Sequence, residues 1–150
     1  MRFDKFTIKS QEALSECQQL AERYEHQQIE PEHLLAAVIS QQGSVAGAII
    51  KKCGADPQSV LSEVYQKLEK YPRVSGSGID QIYMSPASKK VLDAGFKEAR
   101  GMNDEYVSVE HLLLALSSAR DTGAASILQS SGVTHDLILK ALTEIRGAQR

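Results

Sequence analysis

The chain lacks most of what an enzyme, a secreted protein or a nucleic-acid binder needs. It has only two cysteines, Cys17 and Cys53, and neither belongs to a CxxC pair. That gives no disulfide framework and no zinc set, and both read as buried free thiols of a reducing cytoplasm. There is no basic surplus: the formal net charge is −2, whereas nucleic-acid binding calls for a cationic stripe. No apolar run approaches the roughly 20 residues of a membrane span, and the opening Met1-Arg2-Phe3-Asp4-Lys5-Phe6 has no apolar leader segment. No glycine is followed by lysine, which excludes a phosphate-binding P-loop, and G-x-S-x-G and H-E-x-x-H are both missing. No catalytic residue and no metal ligand set is expected.

What is present occurs twice. Glu32-His33-Leu34-Leu35-Ala36-Ala37 reappears as Glu110-His111-Leu112-Leu113-Leu114-Ala115, so the two histidines at positions 33 and 111 are 78 positions apart. The same offset pairs Leu14 with Leu92, Ala21 with Ala99, Ala46 with Ala124, Ile49 with Ile127, Gly54 with Gly132 and Leu61 with Leu139. One ungapped register therefore matches the first half to the second, as a tandem duplication does. A length of 150 residues suits two small halves packed as one domain.

Within each half the apolar residues recur at helical spacing. Thr7 caps a helix over about 8–24, and Pro31 opens a second, to about 41, where a missing N–H is no loss. A short third helix over about 45–53 ends at Gly54, and Asp56-Pro57 starts a fourth, to about 71. Ser85-Pro86, Ser108, the stretch from about Ala124 and Thr134 begin the four corresponding helices of the second half. In the fifth, Val91, Leu92, Phe96 and Ala99 face inward. The fold class is all-α: two tandem four-helix repeats related by a pseudo-two-fold axis, covering 1–71 and 84–146. Residues 72–83, with Ser75-Gly76-Ser77-Gly78, read as the linker between repeats, and 147–150 as the start of a tail. Only the neighbourhood of Val107 suggests extended chain.

The Glu-His pairs do not make a catalytic dyad, because neighbouring helix residues point about 100° apart. They read as a glutamate at the positive end of a helix and a histidine bonded to the loop that enters it. His26 and His135 fall in surface turns. The loops before the second and sixth helices differ, and the latter, Met102-Asn103-Asp104-Glu105-Tyr106-Val107, is the more acidic. Tyr83-Met84 either packs on the core or lines a groove between the repeats.

The duplicated E-H-L-L helices, the Phe6-Thr7 opening, the Gly54 and Gly132 stops and the S-G-S-G linker resemble the N-terminal domain of the Clp unfoldases, over nearly the whole chain. The opening residues and Tyr71-Pro72-Arg73-Val74 are most similar to the ClpB disaggregase branch. The resemblance implies a fragment of a cytoplasmic, homo-hexameric AAA+ chaperone whose ATP- and Mg-dependent modules lie beyond this chain, the chain itself binding no cofactor. It implies partnership with unfolded or aggregated polypeptides and with the DnaK chaperone system, and none with nucleic acid or membrane. The family's client contacts carry over to Thr7, Asp104 and Glu110, with Ile8, Leu92 and Tyr106 expected to add apolar contact. The alternative is an adaptor-docking domain of the protease-partnered ClpC and ClpA branches.

Overall fold

The computed structural model describes residues 3–74 and 81–148. After a 3-10 turn at Phe3–Lys5, the first repeat contains α1 (Ile8–Arg23), β1 (Gln28–Ile29), α2 (Pro31–Ser40), α3 (Val45–Lys52) and α4 (Pro57–Glu69). The second contains β2 (Tyr83–Met84), α5 (Pro86–Gly101), α6 (Val109–Ser117), α7 (Gly123–Ser130) and α8 (His135–Ala148). The expected eight helices are there, each beginning within two residues of its expected start.

Capping chemistry sets their starts. The hydroxyls of Thr7, Ser44, Ser85 and Thr122 each accept a backbone N–H three residues on, and Asp56 accepts from Gln58. Prolines 31, 57 and 86 occupy first-turn positions. Gly54 and Gly132 adopt φ of +94° and +80°, a left-handed turn that side chains resist, and so end α3 and α7.

The two E-H-L-L helices form the centre. Every residue from Pro31 to Ile39 is buried, as is Val109 to Ser117 apart from the partly exposed Glu110. A helix apolar on all sides must be wrapped on all sides, and α2 and α6 touch each other as well as their own repeats. Contacts of α3 with α6 and α8, and of α4 with α7, close the two halves into one core.

The repeats also exchange backbone. Phe6 forms a parallel bridge with Val107, and β1 pairs in parallel with β2 through Gln28–Tyr83 and Ile29–Met84. These are the same interaction twice, because Phe6 corresponds to Met84 and Ile29 to Val107. Ser10 Oγ donates to the Val107 carbonyl (3.0 Å), and its counterpart Ser88 donates to the Ile29 carbonyl (2.8 Å). Each repeat thus fixes the start of its first helix on the loop of the other. Tyr83, assigned to the linker from sequence, is strand, because β1 offers unpaired backbone to it. Ser75 to Gly78 lie outside the described residues. α8 continues through 147–148, where a tail is expected.

The strict correspondence breaks at the two glutamates. Glu32 is 1% exposed, accepts a hydrogen bond from the Tyr71 hydroxyl, and accepts the Ala124 N–H at the start of α7 (2.7 Å). Gly123 makes room for it: a Cβ there would lie 3.1 Å from Glu32 Oε2 and 3.0 Å from Lys67 Cε. Glu32 is therefore a buried tie between repeats, where the sequence offers only a helix-end charge. Removing it leaves the buried Ala124 N–H and the half-buried Tyr71 hydroxyl unpaired. Glu32→Ala is expected to lower unfolding stability by about 2–3 kcal/mol, against less than about 1 kcal/mol for Glu110→Ala at the surface. Urea denaturation of both variants checks this, and equal losses would overturn it.

Candidate functional site

A groove runs across the seam where the repeats interlock. Its walls are Thr7 and Lys9 at the start of α1, the α2–α3 loop with Gln41, Gln42, Gly43 and Val45, and Ser108, Val109 and Glu110 at the start of α6; its volume is about 230 Å³. The loop turns sharply because Gly43 takes φ +65°. Gln41 Nε2 donates to the Lys9 carbonyl (2.8 Å), and Ser44 Oγ donates to the Val38 carbonyl (2.6 Å). The walls are thus tied to regular structure on both sides.

The expected site residues divide. Thr7 and Glu110 line this one groove, although they come from different repeats. The Thr7 hydroxyl accepts from Ser10 N–H (3.2 Å) and donates to Ser10 Oγ (3.0 Å), so capping occupies it. Ile8, next along, is 75% exposed. Tyr106 is 47% exposed, with Lys5 Nζ 5.8 Å from its ring centroid. Leu92 is a correction: it is 1% exposed in the core, because α5 turns the Val91–Leu92 stripe towards α6. It offers no contact surface.

Asp104 is not a free rim charge. Its carboxylate accepts from the Arg146 guanidinium (2.8 and 3.4 Å) and from Nε2 of the buried His111 (2.7 Å), and Arg146 also reaches Glu110 (3.5 Å). Hydrogen bonding from Arg146, ahead of that from His111, holds the Asp104 carboxyl below the usual carboxylate range and raises the Arg146 guanidinium in turn. Charge reversal at Asp104 would therefore disturb packing of α8 as well as the rim. Gln42, Val45, Val109 and Arg146 are members of this region that sequence reasoning missed. Nothing in a linear pattern brings a loop after α2 beside Thr7, or the last turn of α8 to Asp104 and Glu110.

The first repeat solves the same histidine differently. His33 Nδ1 accepts the Glu30 N–H (2.8 Å), as His111 Nδ1 accepts the Ser108 N–H (2.9 Å). His33 must then carry its proton on Nε2, which donates to His26 Nδ1 (2.9 Å). His26, at the position of Asp104, is 3% exposed instead of lying in a surface turn, enclosed by Tyr24 and Tyr71. Its own Nε2 is buried without a hydrogen bond of normal geometry, the Leu68 carbonyl supplying only a weak attraction. His135 also leaves its expected turn: it begins α8 and bonds Glu98 (2.7 Å).

Two four-helix repeats, interlocked by exchanged strands and carrying an open groove at the seam, define a tandem-repeat helical domain. Residues 5–131 match the profile of the Clp repeat (R) N-terminal domain. The chain is 36% identical over 146 residues to the chaperone protein ClpB of Rhodopseudomonas palustris, and 38% identical over 146 residues to that of Porphyromonas gingivalis. Each alignment covers 97% of this chain but only 17% and 16% of the relative. The crystal structure of the Hsp104 N-terminal domain from Candida albicans superposes with a TM-score of 0.82 at 27% identity, covering 97% of this chain and 94% of that one. The chain belongs to the Clp repeat N-terminal domain family, and the relatives it matches over nearly its whole length are ClpB chaperones. Among the described residues, no single helix is long and apolar enough to cross a membrane.

The buried histidine pair makes an acid-sensitive element. Burial, followed by the neighbouring His26, pushes His33 from 6.5 down to about 4; burial, followed by Arg73, lowers His26. Between those values the unfolded chain binds more protons than the folded one. The pair's contribution is thus complete above pH 6.5 and is lost as pH falls towards 4, by up to about 3 kcal/mol. Thermal unfolding from pH 7 to 4.5 should show this decline, and a His26→Gln, His33→Gln double variant should flatten it. A wild-type profile level over that range would contradict the assignment.

Proposed function

We propose that this domain is the substrate-engaging module of a ClpB-like protein disaggregase, holding unfolded or aggregated polypeptide weakly and presenting it to an ATP-driven pore. The observation that carries this reading is the seam groove, which sets apolar side chains against solvent on a rigid floor. Val45 (42% exposed) stands in its wall and Ile8 (75% exposed) follows Thr7 beside it, while Val109 below is buried. Isolated apolar side chains at these positions contact an extended chain every few residues without selecting a sequence. Glu110 and Lys9 give the rim both signs of charge, and Tyr106 adds an amphipathic ring nearby. Asp104 acts through Arg146 in setting the position of Glu110.

Weak binding fits a tethered module. Six copies on a homo-hexameric parent raise the effective concentration of client-binding sites, so no single groove has to bind tightly. In this reading the parent's ATP and Mg²⁺ belong to modules beyond the chain, its location is the cytoplasm, and the DnaK system is its collaborator.

An NMR titration of the domain with a permanently unfolded protein provides the test. Fast-exchange shifts are expected at Ile8, Gln42, Val45 and Val109. The exposed double substitution Ile8→Ser, Val45→Ser should weaken binding roughly tenfold and leave the unfolding midpoint in place. A tight one-to-one complex with a folded adaptor, and no shifts with unfolded protein, would replace this reading with the adaptor-docking one.

A further inference from the structure

The last two turns of α8 reach both elements between which the seam groove opens. Glu144 Oε2 accepts from Lys52 Nζ (3.2 Å), at the end of the α3 helix that Val45 begins. Arg146 Nη2 reaches Glu110 Oε2 (3.5 Å) at the start of α6. Ile138 and Leu142 anchor α8 in the core, with Ile145 packed against it, and the helix touches α3 and α6 alike.

Glu110 therefore faces two ways: it lines the groove, and it lies within reach of Arg146. The hold of Arg146 on its two carboxylates is unequal. Its Nη2 donates to Asp104 Oδ2 at 2.8 Å but meets Glu110 Oε2 only at 3.5 Å. Charge-assisted hydrogen bonds of full strength span about 2.7–2.9 Å, so Asp104 is held firmly and Glu110 loosely. His111 Nδ1 accepts the Ser108 N–H, so the ring brings to Asp104 an N–H from its neutral tautomer. One guanidinium is thus shared between two carboxylates, and Glu110 is the one it holds less well.

The first repeat has no such arrangement. Glu32, the counterpart of Glu110, is sealed inside against Tyr71 and Ala124, and Leu68 stands where Arg146 would. Lys52 and Glu144 correspond to Ser130 and Gln66, which carry no charge. The loose contact between a groove wall and the end of a helix belongs to α8 alone.

We propose that Arg146 is an internal competitor for Glu110, so that occupancy of the seam groove and the seating of the last turn of α8 oppose each other. An unfolded chain in the groove brings unpaired peptide N–H groups and lysine or arginine side chains. A donor that takes the Glu110 carboxylate withdraws it from Arg146 and loosens the last turn of α8. By reciprocity, firm seating of that turn weakens client binding by the same factor. The inference rests on the groove being the client site. The contact is long and partly exposed, so the factor is small, about two- to fivefold.

The test uses the whole chain, labelled for NMR, with a permanently unfolded protein as client. Arg146→Gln, which removes the charge and keeps a polar side chain, should bind the client about two- to fivefold more tightly. In a Glu110→Gln background the same substitution should change nothing, because the competition is gone. An arginine that merely supported the fold would lower affinity, and equally in both backgrounds. The wild type supplies a second measurement: saturating client should speed amide exchange at Ile145 and Gly147, and should not do so in Glu110→Gln. Client shifts at Val45 and Val109 with unchanged exchange in α8, or an Arg146→Gln affinity at or below that of wild type, would overturn the coupling and leave the groove as the client site. Absence of groove shifts in every variant would overturn the substrate reading, and the coupling with it.

Discussion

The fold depends on a reciprocal backbone exchange at the seam. A helix start leaves N–H groups unpaired, and an isolated two-residue strand has no partner. Neither repeat can satisfy its own. Thr7 N–H donates to the Val107 carbonyl and Val107 N–H to the Lys5 carbonyl; Ser85 N–H and Tyr83 N–H donate to the Ile29 and Gln27 carbonyls. Ser10 and Ser88, both buried, add a second donor to the same two carbonyls. Separating the repeats would expose these groups together with the α2–α6 contact, so the duplication behaves as one domain. The seam groove lies beside that exchange, since Thr7 and Ser108 in its walls adjoin the Phe6–Val107 bridge.

On this symmetric frame the polar groups are asymmetric. Position 68 is a buried leucine and its counterpart, 146, an arginine. Where Leu68 stands, His33 of α2 finds the loop histidine His26 in a dry environment, and Glu32 turns inward to Tyr71 and α7. Where Arg146 stands, His111 finds Asp104, and Glu110 stays at the surface in reach of the guanidinium. The first repeat's polar groups thereby tie the interior, and the second repeat's lie at the groove.

Much of this architecture was legible in the chain. The 78-position register, the cap residues and the glycines at positive φ report local physics, and local physics is what a linear sequence carries. The histidine role was legible for the same reason, being a bond to a backbone three residues away. Leu92 carries two opposed expectations: helical spacing turns it inward, and the expected apolar contact with a client turns it outward. Packing wins, since a buried side chain cannot also be a contact surface. Glu32 and Glu110 look alike in sequence because the difference between them lies in Tyr71, Gly123 and Arg146, all more than thirty positions away. The paired strands, two residues long, carry no alternation to detect.

The same logic explains where binding properties can diverge. α2 and α6 are buried on every face, and a close-packed interior resists changes of even a methylene. Gly95 illustrates the tolerance: a Cβ there would meet Leu112 at 3.2 Å and Val107 at 3.4 Å. The buried faces of α2 and α6 therefore stay nearly equivalent in the two repeats, as Ala37 and Ala115 do. The rims face water, where exchanging a lysine, glutamate, glutamine or alanine costs little stability. A duplicated domain of this kind is consequently free to diverge at its rims, with charge as the main variable, while the buried helices hold the common frame.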